Sequence, residues 1–325
     1  PEVQKLSVVE RPEKIVDMMA ARGEQDKADP TLKIVEPKAD ATVASSTVKV
    51  KLELGGDLKG DDEHDHAGDA RSTPPRPVQQ PWHRFPRGAL AGNFLHDQLE
   101  WLAGEGFALD TSTELQQRLL RRCERQGWGH RGDDVLAWLR RVCSTTLPLP
   151  GTSLSGLGTL VPEMEFWLPS DGLQAQRLDL LCQQHLQPGR PRPRLPQRAL
   201  QGLLMGFADL VFEHDGRYWV LDYKSNALGA RDGDYTLQAM QGAMLEHRYD
   251  VQAALYLLAL HRLLQARLGP AYDPARQLGG AVYLFLRGID GPAAGCCPVD
   301  APLALIDALD AMLPASHTAR GREPA

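Results

Sequence analysis

Asp209, Asp222 and Lys224 are residues whose types and spacing could do chemistry. They lie in two apolar segments, LLMGFADLVFEH (Leu203–His214) and RYWVLDYKS (217–225), separated only by Asp215 and Gly216. Asp-Gly closes two-residue hairpins because both turn positions require positive φ. With that loop His214 faces Arg217. Counting outward, Asp209 faces Asp222, and Lys224 lies opposite Phe207 on the face that Asp222 uses. Facing Cβ atoms stand about 4.5–5.5 Å apart, and like charges there are destabilising. Two remedies exist. A divalent cation such as Mg²⁺ is held by one or two carboxylates with phosphate oxygens and water; alternatively, one carboxyl keeps its proton.

The lysine favours the cation. The chain has 325 residues, 36 Lys+Arg, 42 Asp+Glu and a net charge of -6. Residues 1–70 hold 8 Lys and 2 Arg against 16 acids, whereas residues 71–325 hold 25 Arg and one lysine, Lys224, against 26 acids. A compact ammonium can point at a single water or phosphate oxygen, which the planar guanidinium cannot do. An ordinary same-face ion pair between Asp222 and Lys224 is the plainer alternative.

Regular elements must position these groups. Helical spacing of apolar residues marks 90–102, 115–123 and 135–142, and a strand is expected at 161–168. The segment GRPRPRLPQR (189–198) reads as an exposed basic loop. After the hairpin come a long helix over Tyr249–Leu268, a strand over 280–286 and a last helix over 301–313. The fold class is α/β, with a mixed central sheet, a β-hairpin carrying the site, flanking helices and a helical N-terminal part. Residues 1–60 show strand character, best over 47–54, and no assignable function. Residues 61–79 read as an acidic, Pro-rich linker, with His64 and His66 solvated among the acids. Residues 80–315 form the main domain and 316–325 a flexible tail.

The longest apolar runs reach roughly half of the ~20 residues that a membrane-spanning helix needs. No signal-peptide pattern follows Pro1, and the five cysteines lack C-x-x-C or zinc-ligand spacing. The chain therefore reads as a fragment or processed product, cytoplasmic and with free thiols. No G-x-x-x-x-G-K-[ST] occurs, which excludes a P-loop ATP motor.

GFADLVF (206–212), LDYKSN (221–226) and HRYDVQAALY (247–256), with FPRGALAGNFLH (85–96), EMEFWLP (163–169) and GGAVYLFLRG (279–288) in the same order, carry a resemblance. Over roughly residues 80–315 the chain resembles the nuclease domain of the RecB (exodeoxyribonuclease V beta subunit) family, within the PD-(D/E)xK superfamily. The resemblance implies a Mg²⁺-dependent deoxyribonuclease. Its metal ligands would be His96, Asp209, Asp222 and the backbone carbonyl of Tyr223, with Lys224 as the catalytic lysine. Gln252 and Tyr256 match the family's Q-x-x-x-Y element and would help to hold DNA. Glu163 and Glu165, on one strand face, would approach the metal from further out.

Arg190, Arg192, Arg194 and Arg198 would contact the DNA backbone without reading sequence. The implied partners are single strands or duplex ends of DNA, and the RecC and RecD subunits if the full complex forms; no membrane is expected. The alternative is a catalytically silent DNA-binding or scaffold module of a helicase-nuclease complex. Such relics usually lose metal ligands, and here the four key residues are present.

Overall fold

The segment that ends in Lys224 forms the central strand of the sheet. The computed structural model describes residues 79–170, 173–197, 199 and 203–313, together with the backbone of 31–36 and 51–55. Strand β1 (Thr31–Glu36) pairs antiparallel with β2 (Lys51–Gly55) in a unit of its own. The expected linker as far as residue 78, with His64 and His66, lies outside the described residues, as do Arg198, the tail and 47–50 of the first expected strand.

Five further strands make the main sheet: β3 (Thr159–Pro169), β4 (Leu203–His214), β5 (Arg217–Lys224), β6 (Leu278–Phe285) and β7 (Cys296–Val299), in that spatial order. Three of the four pairings are antiparallel and β5–β6 is parallel, so the sheet is mixed as expected. Asp215 and Gly216 take φ of 51° and 75°, the two positive values that their hairpin requires. From Trp219 onward every residue of β5 is buried, because both faces of the sheet are covered.

Helices α1 (Pro81–Arg84), α2 (Ala89–Gly104), α3 (Thr113–Arg125) and α4 (Gly132–Ser144) precede the sheet. In α2 the buried Ala91, Leu95, Gln98, Leu99 and Leu102 repeat at helical spacing and turn that face to the core. This core layer also contains Leu210, Leu221 and Tyr223 of the hairpin. The opposite layer is built from α5 (Ala175–His185), α6 (Leu237–Glu246), α7 (Tyr249–Leu268) and α9 (Leu303–Met312), with a short α8 (Pro274–Gln277) before β6. Sequence periodicity placed α2, α3, α4, α7 and α9 to within a few residues. It missed α5, α6 and β7.

Arg287, just past β6, is 2 % exposed and ties the end of β5 to the segment before α2. Its guanidinium donates to the carbonyls of Ser225 (3.1 Å), Phe85 (3.0 Å) and Pro86 (2.6 Å), and to that of Trp82. The end of β5, one residue beyond Lys224, is thus fastened to the segment that leads into α2. No helix among the described residues is long and apolar enough to cross a membrane. All five cysteines are free and buried.

Candidate active site at a forked strand pair

The hairpin register runs as expected from His214↔Arg217 to Leu210↔Leu221, and there β4 and β5 part. Beyond that pair β4 stays with β3 as far as Leu203↔Pro169, while β5 stays with β6 as far as Lys224↔Phe285. Asp209 sits at the root of the fork on one arm and Asp222 on the other. The expected ladder through Asp209 and on to Phe207 opposite Lys224 is therefore corrected: ladder hydrogen bonds give way to side-chain bonds at the acids. Asp209 Oδ2 accepts from the backbone N–H of Tyr223 at 2.8 Å. N–H and C=O of a strand residue point the same way, so the Tyr223 carbonyl opens into the same gap.

Helix α7 fills the fork. The Tyr256 hydroxyl lies 2.6 Å from the Phe207 carbonyl and 3.1 Å from Asp222 Oδ1, and its one proton serves one of them at a time. Gln252 Nε2 donates to that hydroxyl at 2.7 Å, and Gln252 Oε1 accepts from Lys224 Nζ at 3.2 Å. Tyr256 is 3 % exposed, so what it supports it supports from inside. Gly206 leaves the room this needs. A Cβ there would stand 2.4 Å from the ring of Phe166, its cross-strand partner, and that ring packs edge-on against Tyr256.

Lys224 is buried. Its Nζ lies 2.5 Å from Asp222 Oδ2, 3.8 Å from the centre of the Tyr249 ring and 5.3 Å from that of Tyr283. Cation–π attraction of this kind contributes on the order of 0.5–2 kcal/mol. On the far side, His96 Nδ1 of α2 stands 3.4 Å from Asp209 Oδ2, and its ring meets Tyr223 edge-on. Asp222 Oδ2 is buried, with the Lys224 ammonium as its close neighbour.

The electrostatics separate the two acids. Burial pushes the Asp209 carboxyl up, but His96, Lys224 and the Tyr223 N–H outweigh it and leave the pKa lowered. At Asp222 burial wins over Lys224, helped by Asp209, and the pKa is raised. Burial alone would lower His96, yet Asp209 and Asp222 hold its pKa above the ordinary value.

Glu163 falls between Pro162↔Leu210 and Met164↔Ala208, opposite Asp209, at a φ of 45° inside an otherwise regular strand. Glu163 and Glu165 are both exposed. Glu100, four residues after His96 on α2, was missed by the sequence reading. Burial first, then Glu163 and Asp97, push its carboxyl up; Arg122 opposes this and Asp209 adds to it. Its spacing from His96 was the available signal, since residues four apart share a helix face.

The basic loop divides. Arg194 is exposed, and Arg190 donates to Gln187 and Gln241 at 3.0 Å. Arg192 corrects the expectation of a DNA contact: its side chain is 1 % exposed and bonds Asp250 (2.7 Å) and the carbonyls of Leu186 and Gln187. Asp250 is bound from its other side by Arg248, which also bonds Asp179. Among the described residues, no three His, Cys, Asp or Glu side chains stand together as a ready metal-ligand group; Asp222 is against Lys224 and His96 against Asp209.

A family model for the PD-(D/E)XK nuclease superfamily matches residues 79–296, a span that contains the whole fork. The chain belongs to the PD-(D/E)XK nuclease superfamily. Among curated proteins, the RecBCD enzyme subunit RecB of Escherichia coli K12 is 44% identical over 213 residues, covering 64% of this chain and 17% of the relative. RecB of Haemophilus influenzae is 39% identical over 180 residues, 53% of this chain and 14% of the relative. RecB of Mycolicibacterium smegmatis is 32% identical over 291 residues, 78% and 26% respectively. The PD-(D/E)XK chain thus spans about a quarter or less of the RecB proteins it matches.

Proposed function

We propose that the chain is the Mg²⁺-dependent deoxyribonuclease domain of a RecB-type subunit, hydrolysing phosphodiester bonds in single strands or duplex ends of DNA. The fork carries this reading: two buried aspartates with oppositely shifted pKa values, a histidine on one flank and the domain's single lysine on the other. The residues fit a hard divalent cation. They offer one imidazole nitrogen, two buried carboxylates and the Tyr223 carbonyl, a set of hard nitrogen and oxygen donors. His96, Asp209, Asp222 and Tyr223 would hold it. Bound there, it would supply Lewis acidity toward a phosphate oxygen and favour ionisation of a water.

The chain's own groups do the rest. Lys224 presents its ammonium to the phosphate or the attacking water, and a preorganised donor of this sort is worth about 10²–10³ in rate. Gln252, Tyr249 and Tyr283 hold that ammonium in place. Tyr256 fixes the carboxylate of Asp222, and burial of the fork limits bulk water, which strengthens each of these interactions. Arg190 and Arg194 contact strand phosphates without reading bases. DNA repair and recombination with RecC and RecD, in the cytoplasm, is the setting we propose. Lys224→Ala tests the assignment: Mg²⁺-dependent degradation of single-stranded DNA should be lost, and unchanged degradation would sink it.

A further inference from the structure

An arginine beside the site is held as though for a phosphate. His96 and Glu100 form one row of α2; Asp97 and Trp101 form the row roughly 100° further round. The Arg122 guanidinium of α3 lies over the Trp101 ring, 4.6 Å from its centre. Its Nε donates at 2.6 Å to Oε1 of Gln98, a side chain with 0 % exposure, and its Nη2 reaches the Asp97 carbonyl at 3.4 Å. Gln98 is itself oriented by its amide group, which donates to Gln126 Oε1 (3.0 Å) and the Phe94 carbonyl (3.3 Å).

The charge is fixed but not neutralised. Among the described residues, Arg122 has no carboxylate within ion-pair distance, whereas its neighbour Arg118, also over Trp101, is paired with Glu105 at 2.5 Å. Burial and the nearby Arg125 and Arg118 act against the Arg122 cation, with Asp97 partly offsetting them. A half-buried cation kept in one orientation by a fully buried amide and an indole face is preorganised for an anion. The Asp97 carbonyl that Arg122 reaches directly follows His96 on α2, and Glu100, one turn beyond His96, feels the charge of both Arg122 and Asp209.

We infer that Arg122, on the Trp101 and Gln98 platform, clamps a backbone phosphate of the single strand that flanks the one being cut. This rests on the nuclease reading, and the test separates the two. Binding of a fluorescein-labelled oligothymidylate is followed by anisotropy against salt in EDTA, where metal-dependent cutting is suppressed. Each phosphate neutralised on a single strand contributes about 0.7 to the slope of log K against log salt.

Arg122→Gln should weaken binding and reduce the slope by about 0.7, while Arg122→Lys keeps the slope. Trp101→Leu retains the charge without its platform and should weaken binding with the slope kept. In turnover with Mg²⁺, Arg122→Gln should raise KM and leave kcat within a few fold. An unchanged slope in a folded Arg122→Gln protein overturns the clamp and leaves Arg122 a strut between helices. A wild type that binds with the full slope but never cuts would contradict the nuclease reading and leave the clamp standing.

Discussion

The backbone N–H of Tyr223 donates to Oδ2 of Asp209 at 2.8 Å, across the gap where the β4–β5 ladder has just ended. One carboxylate oxygen thus caps an open strand while the carboxyl group points toward His96. Asp209→Asn keeps an acceptor for Tyr223 and should fold with little loss of stability, yet lose nuclease activity with its charge. Asp209→Ala loses both. Urea melts beside cleavage assays on the two variants check this; an active Asn variant would remove Asp209 from the metal set.

Gln252 accepts from Lys224, and the Tyr256 hydroxyl lies against Asp222. Gln252→Leu and Tyr256→Phe should each lower kcat by about 10–100-fold, the scale of groups that orient metal ligands, with KM for DNA little changed because the Tyr256 hydroxyl is buried. A rise in KM alone would return these residues to DNA binding.

Two arginines of the same loop should part company. Arg192→Ala leaves Asp250 with Arg248 alone and should destabilise the fold by roughly 3 kcal/mol, the lower end for breaking a buried pair. Arg194→Ala should leave the urea midpoint in place and weaken DNA binding. The reverse pattern would contradict the burial of Arg192.

In metal-free protein, the His96–Asp209 pair makes stability depend on pH. The folded pKa of His96 is raised, so its contribution is complete below the unfolded imidazole value of about 6.5 and is lost as pH rises through the folded value. Urea melts in EDTA across that window should show the loss in the wild type and a flatter profile in His96→Asn. Equal profiles would show that the pair contributes nothing.

Much of this was legible in the sequence. The Asp-Gly turn set the register, so Asp209, Asp222 and Lys224 could be brought together by counting, and apolar periodicity located the helices behind them. The fork was not legible, because counting along a ladder assumes that the ladder continues. The partner found there is tertiary: Tyr256, 49 positions along the chain, sets its hydroxyl 2.6 Å from the Phe207 carbonyl. The fate of Arg192 was hidden for the same reason. A run of alternating Arg and Pro reads as solvated until Asp250 is found beneath it.

The most direct test of the central claim is a Mg²⁺ titration of single-stranded DNA degradation by the purified chain, with Asp222→Ala measured in parallel. Saturable, Mg²⁺-dependent cleavage in the wild type, abolished in Asp222→Ala, is the expected result. Absence of cleavage at every Mg²⁺ concentration, or cleavage undiminished in Asp222→Ala, would contradict a catalytic centre at the fork.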